Sequence, residues 1–434
     1  MDPEQARAVV WPGMRRMLGG SAFILGCRLA GAALTFLTQI LLARWMGASE
    51  FGVYVIAFSW CLLLATVTAL GLPMAAIRFI GMGLAQGRGD YIRGFVDWGS
   101  RVTVIASAVV AIAGIALIWQ LPLSGGFQPA LTMALVALPG LSLLFFNGGV
   151  ANSCSRLTLG FLPTNVLRPV AFFVLVGLFW WSRGHLDAKV AMLLQLFAIV
   201  LVSSGAFVMV RSYIAQQAPA PSGEFHGRIW LRAAIPMLAV TLFSGYVAEI
   251  NVILAGWFLP ADEVARFHVS FRLALIVSFG LFAVDAAIAP DLSRLYAASD
   301  HAQVQQLLDR ATRVRFLGAV LAVVVFVVAG RSVLAWFGPE FVAGYSLLLI
   351  LATGQLVLAG VGPVARLLSI TGHQDRALVA SVSSLLLAGA LVALLVPPFG
   401  LEGAAVAATV NVTIWAVWMW WLVVRYTGFR PRIL

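Results

Sequence analysis

Long apolar runs, each close to twenty residues, recur from one end of this chain to the other with short polar breaks between them. A hydrocarbon layer about 30 Å thick needs about 20 apolar residues at 1.5 Å per residue, so each run has the length of a membrane-spanning helix. Strands of a transmembrane barrel would alternate apolar and polar positions over about ten residues, and no such pattern occurs. The runs predict twelve spans, at 17–42, 52–76, 98–121, 130–150, 164–182, 190–210, 229–258, 264–289, 314–333, 341–362, 377–396 and 401–424. The fifth is the weakest, because Arg168 and Pro169 sit in its first turns. Pro73 is expected to bend or end the second.

Composition agrees. Of 434 residues, 62% are hydrophobic and 10% charged, against about 25% charged in soluble domains. The early acids of the N-terminus, with an overlong apolar run behind them, give no cleaved signal. Cys27, Cys61 and Cys154 have no metal-ligand spacing and read as small apolar residues. No P-loop, zinc spacing or nucleophile elbow is present, so no cofactor, metal or enzymatic activity is expected.

The net charge of +11 raises nucleic acid as a partner, but its distribution argues against that. Twelve spans put both termini on one side. Of the 28 Lys and Arg, 21 then gather on that side, five (Arg44, Arg183, Lys189, Arg266 and Arg331) fall on the other, and Arg28 and Arg272 lie within spans. By the positive-inside rule both termini are cytoplasmic. Trp45, Trp119, Trp180, Trp181, Trp257 and Trp336 fall near the outer interface, and Trp98, Trp230 and Trp421 near the inner one, as in an aromatic belt.

The longest linker, 212–228, contains Gln-Gln-Ala-Pro-Ala-Pro-Ser-Gly-Glu and divides the chain nearly in half. The expected organisation is an N-terminal six-helix lobe over 1–211, a cytoplasmic linker over 212–228 and a C-terminal six-helix lobe over 229–434. The halves repeat at an offset of about 212 residues: Asp97, Arg101 and Val102 recur as Asp309, Arg313 and Val314. Ahead of them, Ile92, Phe95, Val96 and Gly99 match Val304, Leu307, Leu308 and Ala311, at the spacing of an amphipathic helix lying on the inner interface. Six spans per half predict parallel repeats around a central cleft.

Four polar positions are candidates for function in the first span. Ser21, Arg28, Thr35 and Gln39 fall within roughly 40° of one another on the helix. Counted from 17, Arg28 lies near the bilayer midplane. A charge there costs about 2.5–3.5 kcal/mol and usually faces a cavity, a partner or a substrate; an arginine bonded to carbonyls within a bundle is the plainer alternative. Glu249 and Arg272 flank a short outer turn at equal depth, where an ion pair competes with a binding role. His268, one turn from Arg272, could share its surroundings. Arg78 either snorkels to the inner interface or points into the inner mouth of the cleft. Asp285 and Ser278 share a face of the eighth span and could pass a cation or proton, or Asp285 could be an end-of-helix charge.

The residues Arg28-Leu29-Ala30-Gly31, Ile40-Leu41-Leu42-Ala43-Arg44, Gly47-Ala48-Ser49-Glu50-Phe51-Gly52-Val53-Tyr54, Gly71-Leu72 and Arg78-Phe79 resemble the N-terminus of bacterial polysaccharide (O-antigen and exopolysaccharide) flippases, of the multidrug/oligosaccharidyl-lipid/polysaccharide exporter superfamily. The motif covers about the first 80 residues; the twelve-span plan resembles the family throughout. The resemblance implies inward-to-outward translocation of an undecaprenyl-pyrophosphate-linked oligosaccharide by alternating access, in the bacterial inner membrane. It also implies a monomer that works beside a polysaccharide polymerase and glycosyltransferases. Functional arginines of related lipid II flippases would fall on Arg28, Arg78 and, by a looser alignment, Arg272. The chemistry agrees, since arginine binds phosphate oxygens with a planar, permanently charged fork. Two rival readings are a cation-coupled multidrug exporter, which favours an acidic aromatic cavity, and an O-antigen polymerase or ligase, which needs a large outer loop.

Overall fold

The computed structural model describes residues 3–122, 126–217 and 223–433, excluding the side chains of 3–22, 24, 25, 243 and 244. All the regular elements among them are helical. In chain order they are α1 (Pro3–Thr68), α2 (Leu72–Ala85), α3 (Gly89–Gln120), α4 (Phe127–Val136), α5 (Leu138–Ser153), α6 (Leu157–Leu162), α7 (Arg168–Arg183), α8 (Ala188–Gln217), α9 (Gly227–Gly245), α10 (Val247–Gly256), α11 (Ala261–Ala297), α12 (His301–Ala335), α13 (Tyr345–Gly360), α14 (Val364–Ile370) and α15 (Gln374–Thr427). A π-helical turn, Pro163–Leu167, joins α6 to α7, and a 3₁₀ segment, Pro339–Gly344, leads into α13.

Among the described residues, eight stretches are long and apolar enough to cross a membrane, and the bent pairs α4–α5 and α9–α10 raise the number to ten. Two of these stretches contain a break, at Gly47 in α1 and at Gly400 in α15. Dividing each there yields the twelve expected spans. Gly47 has φ 74°, a left-handed backbone that a residue with a Cβ reaches only at a cost. Gly400 has φ 55° and follows Pro397 and Pro398. The second span ends at Ala69–Gly71, where Leu70 and Gly71 both have positive φ, and Pro73 lies in the first turn of α2, where a missing N–H is tolerated. Exposed apolar side chains then line the lipid-facing sides, for instance Ile105, Val109 and Ile112 on α3 and Leu317, Leu321, Val324 and Val328 on α12.

Contacts group the chain into two compact units, one of 1–45 with 60–242, the other of 46–59 with 243–434. The division therefore falls inside the α9–α10 span, past the linker expected at 212–228, and the segment 46–59 packs with the second unit. That segment is the core of the recognisable motif, and its residues explain the packing. The Ala48 N–H, which opens the helix after Gly47, donates to Glu340 Oε2 at 3.2 Å. Phe51 is fully buried, with ring contacts to Phe341 at 6.1 Å and His268 at 6.2 Å. Gly52 lies against α11 so closely that a Cβ would stand 1.8 Å from the Ala261 carbonyl oxygen.

The core of the first unit is an aromatic cluster of Phe79, Phe95, Phe146 and Trp230. Trp230 is not an interfacial anchor as expected. It is fully buried, its ring 5.3 Å from Phe95, and its indole N–H donates to the Tyr91 hydroxyl at 2.8 Å. The segment before α9 follows it down: Glu224 N–H donates to the Asp90 carbonyl at 3.2 Å, and its carboxylate pairs with Arg88. In the second unit Leu292, Val304, Leu308, Leu367, Leu368 and Met419 form the matching core.

The amphipathic leads into the third and ninth spans are not separate interfacial helices. They are the first turns of the continuous helices α3 and α12, and their apolar faces (Ile92, Phe95, Val96 and Gly99; Val304, Leu308 and Ala311) are buried in the cores. Burial against protein satisfies the apolar stripe that the sequence assigns to lipid. The repeated acids also keep a common task. Asp97 pairs with Arg211 near the end of α8, the sixth span. Asp309 accepts the Arg432 N–H at 2.9 Å, just past the twelfth span. Each fastens the end of its half to the start of that half's third span.

Replacing Gly52 by valine should lower the apparent Tm of the detergent-solubilised protein by several degrees, because overpacking at so close a contact costs about 1–3 kcal/mol or more. Gly177→Ala, whose new Cβ meets nothing within 4 Å, should not lower it. Tryptophan-fluorescence melting curves check both.

Candidate functional site

Charged side chains inside spans must find partners or water, and the structure separates them on that basis. On α11, Arg272 Nη2 donates to Glu249 Oε1 of α10 at 2.6 Å, with the Glu249 side chain only 8% exposed and that of Arg272 35%. The ion-pair reading of these two residues therefore holds. Breaking a buried pair of this kind costs about 3–5 kcal/mol, so Arg272 is not a free cation. His268 is buried beside Phe51 rather than open to a cavity.

A second pair escaped the sequence reading. Asp285 of α11 accepts from Arg315 Nη1 of α12 at 2.6 Å; the Arg315 side chain is 4% exposed, and its Nη2 also donates to the Leu358 carbonyl at 3.1 Å. Asp285 is thus half of an ion pair, neither a free proton carrier nor an end-of-helix charge, and Arg315 is not a loop arginine. The signal was available: the two flank the turn at 298–300 at similar distances, as Glu249 and Arg272 flank theirs. Ser278 donates to Gln355 Oε1 at 2.7 Å.

Arg28 and Arg78 differ from these. Both are exposed, and neither has a carboxylate within ion-pair distance among the described residues. Each lies over an aromatic ring instead, Arg28 at 5.8 Å from the Phe161 centroid and Arg78 at 5.6 Å from that of Phe79. At the edge of cation–π range and exposed, such contacts are worth about 0.5–1 kcal/mol, too little to compete with a phosphate oxygen. The Ser21 side chain lies outside the described residues. Thr35 and Gln39 are half-buried on the Arg28 face of α1.

The break at Gly47 also corrects the depth of Arg28. At about 1.5 Å per residue, Arg28 lies roughly 28 Å along α1 from that break, and Trp45 at the same end stacks on Trp180 at 4.7 Å. A hydrocarbon layer of about 30 Å that begins at this tryptophan pair puts Arg28 near the opposite face, not at the midplane. A helical side chain also tilts toward its helix N-terminus, which carries the guanidinium further that way. Arg78, beyond the break at Ala69–Gly71, belongs to the same end.

A cavity of about 210 Å³ in the first unit has a lining that includes Met74 and Ile77 of α2, Phe145 and Asn152 of α5, and Phe161 and Asn165. Phe161 is the ring under Arg28, and Met74 and Ile77 are exposed on the same side of α2 as Arg78. The cavity wall thus includes the ring under Arg28 and two neighbours of Arg78 on α2. Asn165 belongs to the π-helical turn, a distortion that often accompanies function. Its carbonyl oxygen is where a Cβ on Gly31 would fall, at 1.8 Å, so α1 is seated directly on that turn.

Residues 17–296 match the family described as polysaccharide biosynthesis protein. The probable low-salt glycan biosynthesis flippase Agl15 of Haloferax volcanii is 24% identical over 88% of this chain and 78% of its own length. Among solved structures, an inward-facing multidrug resistance MATE transporter of the MOP superfamily superposes with a TM-score of 0.76, at 13% identity, over 92% of this chain and 95% of the other. The lipid II flippase MurJ in an inward closed conformation does so with a TM-score of 0.73, at 13% identity, over 93% and 87%.

Asp285→Ala should destabilise the protein by about 3–5 kcal/mol by stranding Arg315, whereas the double variant Asp285→Leu with Arg315→Leu should recover most of that loss. Thermal unfolding in detergent micelles checks the order of the two.

Proposed function

The chain belongs to the polysaccharide biosynthesis protein family, a multi-pass transporter with the MOP superfamily fold, and from that premise we propose that it flips undecaprenyl-pyrophosphate-linked oligosaccharide from the inner to the outer leaflet by alternating access. In this reading the Arg28 end of α1 faces the cytoplasm, both termini are cytoplasmic, and the membrane is the bacterial inner membrane. On the same reading the headgroup and sugars cross while the polyprenyl tail stays in the bilayer.

The observation that carries the reading is a contrast in pairing between the charges within the spans of the second unit and the two arginines at one end of the first. Acids and bases of the second unit neutralise each other in pairs, while Arg28 and Arg78 stay exposed and without a carboxylate partner among the described residues. A diphosphate is the ligand that such a pair of forks suits. Their depth suits it too, since the headgroup has to be captured at the leaflet where the lipid-linked glycan is made. Thr35 and Gln39 continue the polar face toward the other leaflet, along the path a headgroup would take. Arg272 and Glu249 serve as a closed clip within the second unit. A drug exporter for cationic compounds would need a free acid in its cavity, and Glu249 and Asp285 are both engaged by arginine.

In a strain deleted for the chain, undecaprenyl-linked oligosaccharide should accumulate, and the wild-type gene should clear it. Arg28→Ala and Arg78→Ala should each reduce clearance at least tenfold at equal membrane abundance, with Arg28→Lys intermediate because a point charge replaces a fork. Wild-type clearance by a well-expressed Arg28→Ala variant would sink the assignment; raised resistance to cationic dyes on overexpression would favour the exporter. Mass spectrometry of the lipid-linked pool and dye-resistance assays supply the readouts.

A further inference from the structure

The two halves of α15, on either side of the break at Gly400, run antiparallel and side by side. The Trp415 indole N–H donates to Ser381 Oγ at 3.2 Å, and Ser384 Oγ donates to Asn411 Oδ1 at 3.1 Å. Each half carries an exposed apolar stripe, through Val379 and Leu386 on the first and through Ile414, Val417 and Trp421 on the second. At about 100° per residue, Arg376 falls on the first stripe and Arg425 on the second, and both are exposed. Arg376 precedes Leu386 by ten residues and Arg425 follows Ile414 by eleven, roughly 15 Å of helix in each case. That is the depth of one leaflet in a hydrocarbon layer about 30 Å thick.

The two arginines meet at one tyrosine. The Arg376 guanidinium lies over the Tyr426 ring, 3.7 Å from its centroid, and the His373 ring stacks on the same side chain at 5.5 Å. Arg425 is the residue just before that tyrosine. An arginine stacked by its plane keeps its N–H edge free for oxygen acceptors. Neither arginine has a carboxylate within ion-pair distance among the described residues. Asp375, in the first turn of α15, lies about 100° around the helix from Arg376. Snorkelling accounts for a single arginine at a helix end. It does not account for two unpaired arginines that share a ring and each head an apolar stripe one leaflet deep.

We infer that this end of α15 is a site for an anionic diacyl phospholipid of the adjacent leaflet, the inner one in the orientation proposed above. The headgroup phosphate accepts from Arg376 and Arg425, and the two acyl chains lie along the two stripes. Basic residues at this depth draw anionic lipids in preference to neutral ones. A free phosphate would use the arginines and leave the stripes idle, and a polyprenyl diphosphate brings one chain to two stripes. The site belongs to the second unit, whereas Arg28 and Arg78 belong to the first, and it does not depend on what the protein carries.

Native mass spectrometry of the full chain, released from micelles that contain phosphatidylglycerol or phosphatidylcholine with the same acyl chains, reads the lipid that stays bound. The wild type should retain phosphatidylglycerol about fivefold more than phosphatidylcholine. The double variant Arg376→Gln with Arg425→Gln should remove that preference and leave phosphatidylcholine retention unchanged, and each single variant should fall between. The control is Arg331→Gln: this exposed arginine of the same unit lies over Tyr345 at 4.9 Å, and its loss should change retention by less than about twofold. Equal retention of the two lipids by the wild type, or equal losses from the control and the double variant, would overturn the site. Competition by millimolar inorganic phosphate would assign the arginines to a free anion. Displacement of phosphatidylglycerol by equimolar undecaprenyl diphosphate would assign them to a polyprenyl lipid. Either of these results overturns the phospholipid.

Discussion

A charge inside a bilayer has to be neutralised, hydrated or put to use, and this chain does different things with different charges. The Glu249–Arg272 and Asp285–Arg315 pairs bring opposite charges together across adjacent helices. They hold α10 to α11 and α11 to α12 without leaving a net charge in the spans. Paired charges of this sort add specificity of register more than net stability, because desolvation offsets much of their attraction. The first unit follows another rule. Its arginines at 28 and 78 keep only weak ring contacts and so stay available to an anion.

Around those two arginines the backbone departs from regular helix. The break at Ala69–Gly71 just precedes Pro73 in the cavity wall, and the π-helical turn at Pro163–Leu167 supplies Thr164 and Asn165 to it. In lipid, each departure frees backbone groups that must be satisfied by neighbouring protein or by water, so such departures are tolerated only where they are covered or line a cavity. The second unit shows its irregularity elsewhere, at Gly400 and in the 3₁₀ segment before α13.

The recognisable motif turns out to have two physical parts. Arg28 belongs to the candidate site. The stretch from Gly47 to Tyr54 is architectural: it makes the turn, is capped by Glu340, and buries Phe51 among residues of the second unit. A motif strong enough to identify the family can thus report on how the chain is stitched together as well as on what it carries. The interfacial helices expected from periodicity were misassigned for a related reason. An apolar stripe on a helix looks the same in sequence whether it meets lipid or protein, and here it meets the cores at Phe95 and Leu308.

Composition and periodicity by themselves determined that the chain is helical and membrane-spanning, where its twelve spans lie, and that Arg28 is an unusual residue. These are local properties: span length follows from bilayer thickness, and a charge in an apolar run is visible without neighbours. Pairing is not local. Only the packed structure decided that Arg272 is engaged while Arg28 is not, that Arg315 belongs to Asp285, that Trp230 is core, and that Asn152, Phe161 and Ile77 share one cavity. Each of those outcomes depends on which helix faces fold against each other, and residues far apart in the chain become neighbours only when the helices close.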